Sequence, residues 1–471
     1  MSMTGGRAIR LIALCGVAVV GAMMPRGLLA DTLEGALIQA YQNNPSLNAQ
    51  RSALRALDEN VPIALSGYRP RVTATATVGA LGQQETSKQV STLGVGTYSG
   101  GWDNLVPHSF GVTATQTLYN GAQTANRTRQ AESQVSAGRE TLRLTEQTVL
   151  LNAATAYMNL LRDLAILDLQ RRNVEVLQEQ LRQTRDRFNV GEVTKTDVAQ
   201  AESRVAAGRS SLLAAESNVV TSRATYRQVI GADPGKLTPG TPVDRLSPTT
   251  LQAAVERGRV ENPNVTAAAL GVDVAALQVR INEGALYPTI SVSGGVNYQA
   301  EQQPQIVKVL AFQALGTVSV PLYQGGSEYA TVRQSKETLG QRRMDLDTQR
   351  DSAQQSVVQS WGQLEAAKAQ IIATQAQVNA AETALNGVRE EARVGQRTTL
   401  DVLNAQQELV NARVSLVTAQ RDRVVASYTL LAATGRLSVG VLGLKTDIYN
   451  PQVHYQQVRD TWFGVRTPDG R

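Results

Sequence analysis

Cysteine is almost missing: the 471 residues hold one, Cys15, inside an apolar run near the N-terminus. Histidine is nearly as scarce. His108 and His454 are far apart and each reads as a loop residue, which excludes a histidine-rich metal site. No G-x-S-x-G nucleophile elbow occurs. Gly231-Ala-Asp-Pro-Gly-Lys236-Leu237 resembles a phosphate loop, but its spacing is one residue short and no Ser or Thr follows the lysine. It reads better as a helix-ending linker that runs on through Pro239, Pro242 and Pro248. Beyond the N-terminal run no stretch approaches 18 consecutive apolar residues, so no later transmembrane helix is expected. The inventory leaves no enzyme chemistry, no metal and no cofactor.

The first residues set the compartment. Arg7 and Arg10 precede the apolar run Leu11 to Met24, and Ala30 offers a small residue at a cleavage point, so residues 1–30 read as a secretory signal peptide. Cys15 follows Leu14 and lies within the run rather than closing it, so no lipid anchor is expected. The mature chain then lacks cysteine altogether, which excludes disulfides and thiolate chemistry. The net charge of +6 falls by three when Arg7, Arg10 and Arg26 leave with the leader. The remaining arginines are spread along polar helix faces, and many carboxylates sit at helical spacing from Arg or Lys, so nucleic-acid binding is not expected.

What is present is a repeat. Leu118-Tyr-Asn-Gly121 matches Leu322-Tyr-Gln-Gly325, Val190-Gly191 matches Val394-Gly395, Asp197-Val198 matches Asp401-Val402, and Gly231 matches Gly435, all at an offset of 204. Upstream, Asn44-Pro45 matches Asn262-Pro263 and Pro70 matches Pro288, at an offset of 218. The first copy therefore carries 14 extra residues, in a segment rich in Gly, Ser and Thr that reads as a longer loop, Gly82 to His108. The organisation is a first repeat at 31–235 (strand hairpin 71–118, helical tip near 189–195) and a linker at 236–248. A second repeat follows at 249–437 (strand hairpin 289–321, tip near 393–398), then a tail at 438–471.

Each repeat is mainly helical. Leu160, Leu167, Val174, Leu181 and Phe188 recur every seven residues, as do Leu364, Ile371, Val378, Leu385 and Ala392 in the second copy. After the Val-Gly turn the spacing resumes with Val198, Val205, Leu212, Val219 and Tyr226, and with Val402, Leu409, Leu416, Arg423 and Leu430. Arg423 interrupts that row and is expected to face water. Alongside runs a row of small residues, Ala201, Gly208, Ala215 and Ser222, with Ala405, Ala412, Ala419, Ala426 and Ala433 as counterparts. A sustained seven-residue period argues for supercoiled helices whose backbones approach closely along the small row. Continuous helix from Gly121 to Arg187 would span about 100 Å at about 1.5 Å per residue. Gly191 suits a left-handed turn, and Thr194 or Thr196 is placed to cap a return helix to Ile230 about half as long. Helices from Thr32 to Leu57 and from Thr250 to Asn282 complete the other half.

Four strands lie between the helices. Val72, Ala74, Ala76 and Val78 alternate with threonines, and Ile290, Val292 and Val296 alternate with Ser, Thr and Asn. Returning strands run over Phe110–Leu118 and Phe312–Val320. One apolar and one small polar face fits a membrane barrel with lipid outside and water inside. The alternation fits an ordinary half-buried hairpin equally; the barrel is favoured because no other apolar layer exists for these faces to meet. Open edges cannot be satisfied in lipid, so four strands per chain must close by oligomerisation, with two, three or four copies permitted.

These motifs, with Arg187-Phe-Asn-Val-Gly191, Thr196-Asp-Val198, Arg393-Val-Gly395, Arg397 and Asp401-Val-Leu403 in order, resemble the TolC family of outer-membrane channels from about Asp31 to Leu437. The resemblance implies a homotrimer with a barrel in outer-membrane lipid over a coiled-coil periplasmic tunnel. It implies docking to a periplasmic adaptor protein and an inner-membrane transporter of ABC or RND type, for export of polypeptides (type I secretion) or small toxic compounds. It places Asp401 and Asn404 at the periplasmic aperture, where the family often carries two carboxylates and this chain has one. It assigns gate links to Arg397, Thr196 and Asp197. The family's tyrosine two positions before the second Val-Gly is Ala392 here, and Arg393 beside it is a substitute partner for Asp197. Val190, Gly191, Val394 and Gly395 fall at the adaptor-docking tips. The residues alone offer plainer roles: Asp197 and Asp401 as helix-start carboxylates, and the glycines as turn formers. The alternative function is a periplasmic coiled-coil adaptor or scaffold without a pore.

Overall fold

The computed structural model describes residues 32–471 apart from 91, 95, 304, 305, 469 and 471, so the expected signal peptide lies outside the described residues. The chain opens with three short helices, α1 (Leu33–Asn43), α2 (Pro45–Asp58) and α3 (Asn60–Leu65). Four strands follow: β1 (Arg71–Val78), β2 (Leu81–Val90), β3 (Gly96–Leu105) and β4 (His108–Asn120). A helical hairpin, α4 (Gln123–Asn189) and α5 (Lys195–Ile230), ends the first half. The second half repeats the plan with α6 (Leu251–Glu261), α7 (Pro263–Gly284), β5 (Thr289–Gln303), β6 (Ile306–Ser319), α8 (Ser327–Arg393) and α9 (Thr399–Ala433). The tail adds α10 (Val439–Leu442) and α11 (Pro451–Val458).

The long helices match the seven-residue period. Both α4 and α8 have 67 residues, while α5 has 36 and α9 has 35. Leu160, Leu167 and Val174 are buried on α4, and Ala201, Gly208, Ala215 and Ser222 are buried on α5. A Cβ on Gly208 would lie 2.9 Å from Leu177 Cδ1, so the small row is where the two helices close up. Arg423 does not simply face water: it pairs with Asp244 of the linker at 3.2 Å.

The short helices differ from expectation. Each continuous helix expected before the strands is broken at its Asn-Pro step, where proline starts a new helix and asparagine caps it. Asn44 Oδ1 accepts from Ser46 N at 3.0 Å while its Nδ2 donates to Val229 O at 3.0 Å. Asn262 repeats this with Asn264 N at 2.9 Å and Ala433 O at 3.0 Å. Each asparagine thus joins the start of one helix to the last turn of its return helix, and α2 and α7 carry on alongside α4 and α8. Taken as one stretch, Leu251–Gly284 is long and apolar enough to cross a membrane, against the expectation of no such segment. The break divides it, and α7 packs between α4 and α8.

The main sheet is antiparallel with order β1-β4-β5-β6. Its register sorts the side chains. Ala74, Val112, Val296 and Phe312 form one cross-strand row, and Ala76, Phe110, Tyr298 and Leu310 the next on the same face. The other face carries Thr73, Thr113, Gly295 and Gln313, then Thr77, Ser109, Gln299 and Val309. The segment expected as a loop, Gly82 to His108, is instead largely a two-stranded antiparallel ribbon of β2 and β3.

The largest core lies where α1, α4, α5, α9 and the tail meet, with Leu37, Leu150, Tyr157, Tyr226, Ile230, Leu431 and Leu437 almost inaccessible. Tyr157 donates to Thr238 O at 2.7 Å and accepts from Thr238 N at 3.0 Å, which ties the linker to α4. The tail is a strap on this core. Val439 N donates to Glu146 Oε1 at 2.9 Å, and the Arg69 guanidinium lies 4.6 Å above the Trp462 ring. His454 belongs to α11 rather than a loop and is buried 3.0 Å from Asp58 Oδ2, while His108 begins β4.

Candidate functional site

The sequence-marked residues gather at the two hairpin tips. At the first, Gly191 takes φ +79° and its N–H donates to Phe188 O at 3.0 Å, reversing the chain; a side chain there would be strained. Gly395 does the same at φ +81°. An ion pair closes each turn with opposite polarity: Arg187 with Glu192 at 3.0 Å, and Glu391 with Arg397 at 2.8 Å. Val190 and Val394 are 72% and 66% exposed, so each tip presents a bare apolar knob beside a glycine.

Both return helices begin with a capping box, and Thr194, not Thr196, is the cap. Asp197 N donates to Thr194 Oγ1 at 3.3 Å, and Asp197 Oδ2 accepts from Thr194 N at 2.9 Å and Oγ1 at 2.7 Å. Thr398 and Asp401 reproduce it at 3.2, 3.0 and 2.9 Å. Bonds from the Thr194 hydroxyl and backbone hold the Asp197 carboxyl below the usual aspartate range. The Thr398 backbone and hydroxyl do so for Asp401, with Arg397 adding a smaller pull. The helix-start role is therefore real at both positions, and it keeps the carboxylates ionised.

The residues assigned to gate links have partners within the chain. Arg397 engages Glu391, and Arg393 engages Glu390 at 3.1 Å rather than Asp197. Thr196 lies in the first turn of α5. Asn404 makes a contact the sequence did not disclose: its Oδ1 accepts from Arg204 Nη2 at 2.7 Å, joining α9 to α5 across the two hairpins. Beside it Leu403 is buried against Leu177, Ala201 and Val205 of the first hairpin. One heptad separates Arg204 from Asp197, a spacing that singles out the helix face but not the partner.

A second marked motif joins sheet to helix. A Cβ on Gly121 would fall 2.1 Å from Gly284 O, so only glycine lets the end of β4 pass the end of α7. Asn120 Nδ2 donates to Thr124 Oγ1 at 2.7 Å at the start of α4. Among the described residues, no group of three or more His, Cys, Asp or Glu could hold a metal ion. The whole is a sheet with one apolar face, seated on helices about 100 Å long, with ionised carboxylates and exposed turns at the far end.

Comparison with known proteins agrees with this geometry. The family model described as outer membrane efflux protein matches residues 36–232 and 254–436. The chain is 42% identical over 449 residues to outer membrane efflux protein BepC of Brucella suis biovar 1 (strain 1330), covering 94% of each. It is 26% identical to outer membrane protein TolC of Vibrio cholerae, covering 87% of this chain and 92% of that one. Among solved structures, the Campylobacter jejuni CmeC outer membrane channel superposes with a TM-score of 0.74 at 15% identity, covering 91% of this chain and 89% of that one.

Proposed function

The chain belongs to the outer membrane efflux protein family, and from that premise we propose that three copies form one continuous export duct for polypeptides or small toxic compounds. Members of this family are outer-membrane channels that extend into the periplasm, and they are not enzymes. In our reading the four-stranded sheets close edge to edge into a single barrel, and the paired hairpins form the tunnel beneath it. The observation that carries this is the main sheet: its apolar rows run unbroken across β1, β4, β5 and β6, and among the described residues neither outer strand has a further neighbour. Such a sheet is stable in lipid only when closed. A pore-free scaffold has no use for it.

A periplasmic adaptor docks at the Val190-Gly191 and Val394-Gly395 tips, and an inner-membrane transporter loads the cargo. Asp401 supplies one ring of three ionised carboxylates at the aperture, with Asn404 above it, and Arg397, Arg393, Thr196 and Asp197 link neighbouring hairpins. Mutual repulsion favours opening, and the ring attracts cations. The full-length resemblance to a protein named for efflux supports the small-compound cargo at least as strongly as polypeptide.

The test is single-channel conductance of the purified protein in a planar bilayer, with Asp401→Ala alongside. A low-conductance, cation-preferring pore whose selectivity weakens in the variant supports duct and ring together. An unaltered pore removes the ring and keeps the duct. Failure of folded, oligomeric protein to conduct removes the duct.

A further inference from the structure

The β1–β4 hairpin does not end at the rim of the main sheet. Its pairs run from Arg71 with Thr115 to Val78 with His108, and resume at Leu81 with Leu105 as far as Val90 with Gly96. No residue is gained or lost on either side, and Gly79 N donates to Pro107 O at 2.9 Å across the waist between them. Side chains alternate along a strand, so an unbroken register carries both faces of the sheet onto the extension. Val106 N also donates to Glu301 Oε2 at 3.2 Å, which ties that waist to the end of β5.

The faces of the extension differ in chemistry. Continuing the apolar, lipid-side face are Trp102 opposite Gln84, Gly100 opposite Thr86, and Tyr98 opposite Lys88. The contrary face carries Glu85 and Asp103. In the last apolar-side row of the main sheet, Val78, His108, Ala300 and Lys308 lie side by side. Basic groups therefore stand on the outward side and acidic groups on the other. Trp102 and Tyr98 are 69% and 70% exposed on a ribbon that has no core for them to fill, and Lys88 Nζ lies 5.6 Å from the Tyr98 ring centroid. Trp102 stands six residues beyond His108 and Tyr98 ten, which is about 20 and about 33 Å along the strand. With a strand tilt of about 40° they rise roughly 15 and 25 Å above the rim, past the hydrocarbon and into the headgroup layer.

We propose that this outward ledge docks the phosphorylated oligosaccharide headgroup of an outer-leaflet glycolipid. The rings of Trp102 and Tyr98 stack on sugar faces, and Gln84 and Thr86 meet the hydroxyls between them. Lys88, with Lys308 at the rim below, meets the phosphates. The occupant follows from continuity with the lipid-side face and from the segregation of charge, which suits an anionic partner beside the barrel rather than cargo within it.

The test uses the full-length protein in phosphatidylglycerol nanodiscs, titrated with lipopolysaccharide bearing its complete core sugars or with lipid A alone. Binding is read by native mass spectrometry for wild type, Tyr98→Ala/Trp102→Ala and Lys88→Gln/Lys308→Gln. The aromatic variant should bind the long-sugar glycolipid about tenfold more weakly and lipid A as wild type does. The lysine variant should weaken both. Equal binding of the long-sugar glycolipid by wild type and the aromatic variant overturns the proposal. Conductance of the same variants separates this outcome from failure of the duct, since the ledge lies outside the pore.

Discussion

Breaking the Arg204–Asn404 bond should loosen the closed tips. The bond spans 2.7 Å between the return helices of the two hairpins, and the buried Leu403 beside it fixes their approach. A hydrogen bond to a charged donor is worth about 1.5–3 kcal/mol when sheltered. Here Arg204 is half-buried and Asn404 exposed, so the surface scale applies and each bond contributes about 0.5–1 kcal/mol. In a trimer that opens in concert the three bonds act together, giving about 1.5–3 kcal/mol, or roughly a ten- to hundredfold change in the closed-to-open ratio. Arg204→Ala and Asn404→Ala should each raise the open probability in single-channel recordings to a similar degree. The double variant should add little, because one bond is lost in all three cases. Unchanged gating in Arg204→Ala, or a double variant equal to the sum of the singles, would refute a latch at this place.

Gly208→Leu should lower the melting temperature. Its first carbon already meets Leu177 Cδ1 at 2.9 Å and Val174 Cγ2 at 3.5 Å, so the rest of the side chain overpacks the hairpin by about 1–3 kcal/mol. Gly208→Ala should stay near wild type, since the flexible Leu177 end can shift and alanine favours helix. The strap carries a pH signature. Burial pushes the Asp58 carboxyl above the ordinary range, with the His454 contact opposing, and Asp58 Oδ1 has no hydrogen-bond partner among the described residues. The folded chain thus holds this proton more tightly than the unfolded one. The contribution is complete below the ordinary aspartate pKa near 3.8 and is lost as pH rises through the raised value. Asp58→Asn should flatten that slope in hydrogen exchange of residues 439–458 followed between about pH 3 and 7.

Much of the helical architecture was legible because the stretches of α4 and α8 that pack on their return helices must repeat those contacts every seven positions. The Asn-Pro steps are visible in the sequence as repeat markers, but the helices expected at Thr32–Leu57 and Thr250–Asn282 run through them. What settles the break is Asn44 and Asn262 reaching the last turn of a distant return helix. The β2–β3 ribbon was hidden because it separates no core from water: Gln83, Gln84, Glu85 and Thr86 show no alternation of apolar and polar residues. Arg204 read as one arginine among many on a polar face. Its role depends on two helices meeting across 200 residues of chain, which no local spacing encodes. His454 reads as a loop residue in the sequence, and its partner Asp58 lies 396 residues away, beyond the reach of any local pattern.

The two copies have diverged in what surrounds them, and the divergence bears on assembly. α4 is enclosed by α1, α2, α3, α5, α7 and α9. Its counterpart α8 packs chiefly on α6, α7 and α9, and leaves Tyr329, Met344, Val358 and Ile372 exposed. At the other end, β1 and β6 close the sheet order, with no neighbour beyond them among the described residues. An apolar stripe on a helix in water and an open strand edge in lipid are separate liabilities. In the assembly proposed above, rotation of identical copies so that β6 of one meets β1 of the next would remove the strand edges, and coverage of α8 by a neighbouring copy would remove the other. That contact is head-to-tail, so it generates a ring rather than a pair of facing dimers. A ring of four-stranded units closes only in multiples of four strands, which is twelve for the three copies proposed above. Enclosure of the first copy by short helices and strap leaves α8 of the second as the exposed apolar surface available to such a ring.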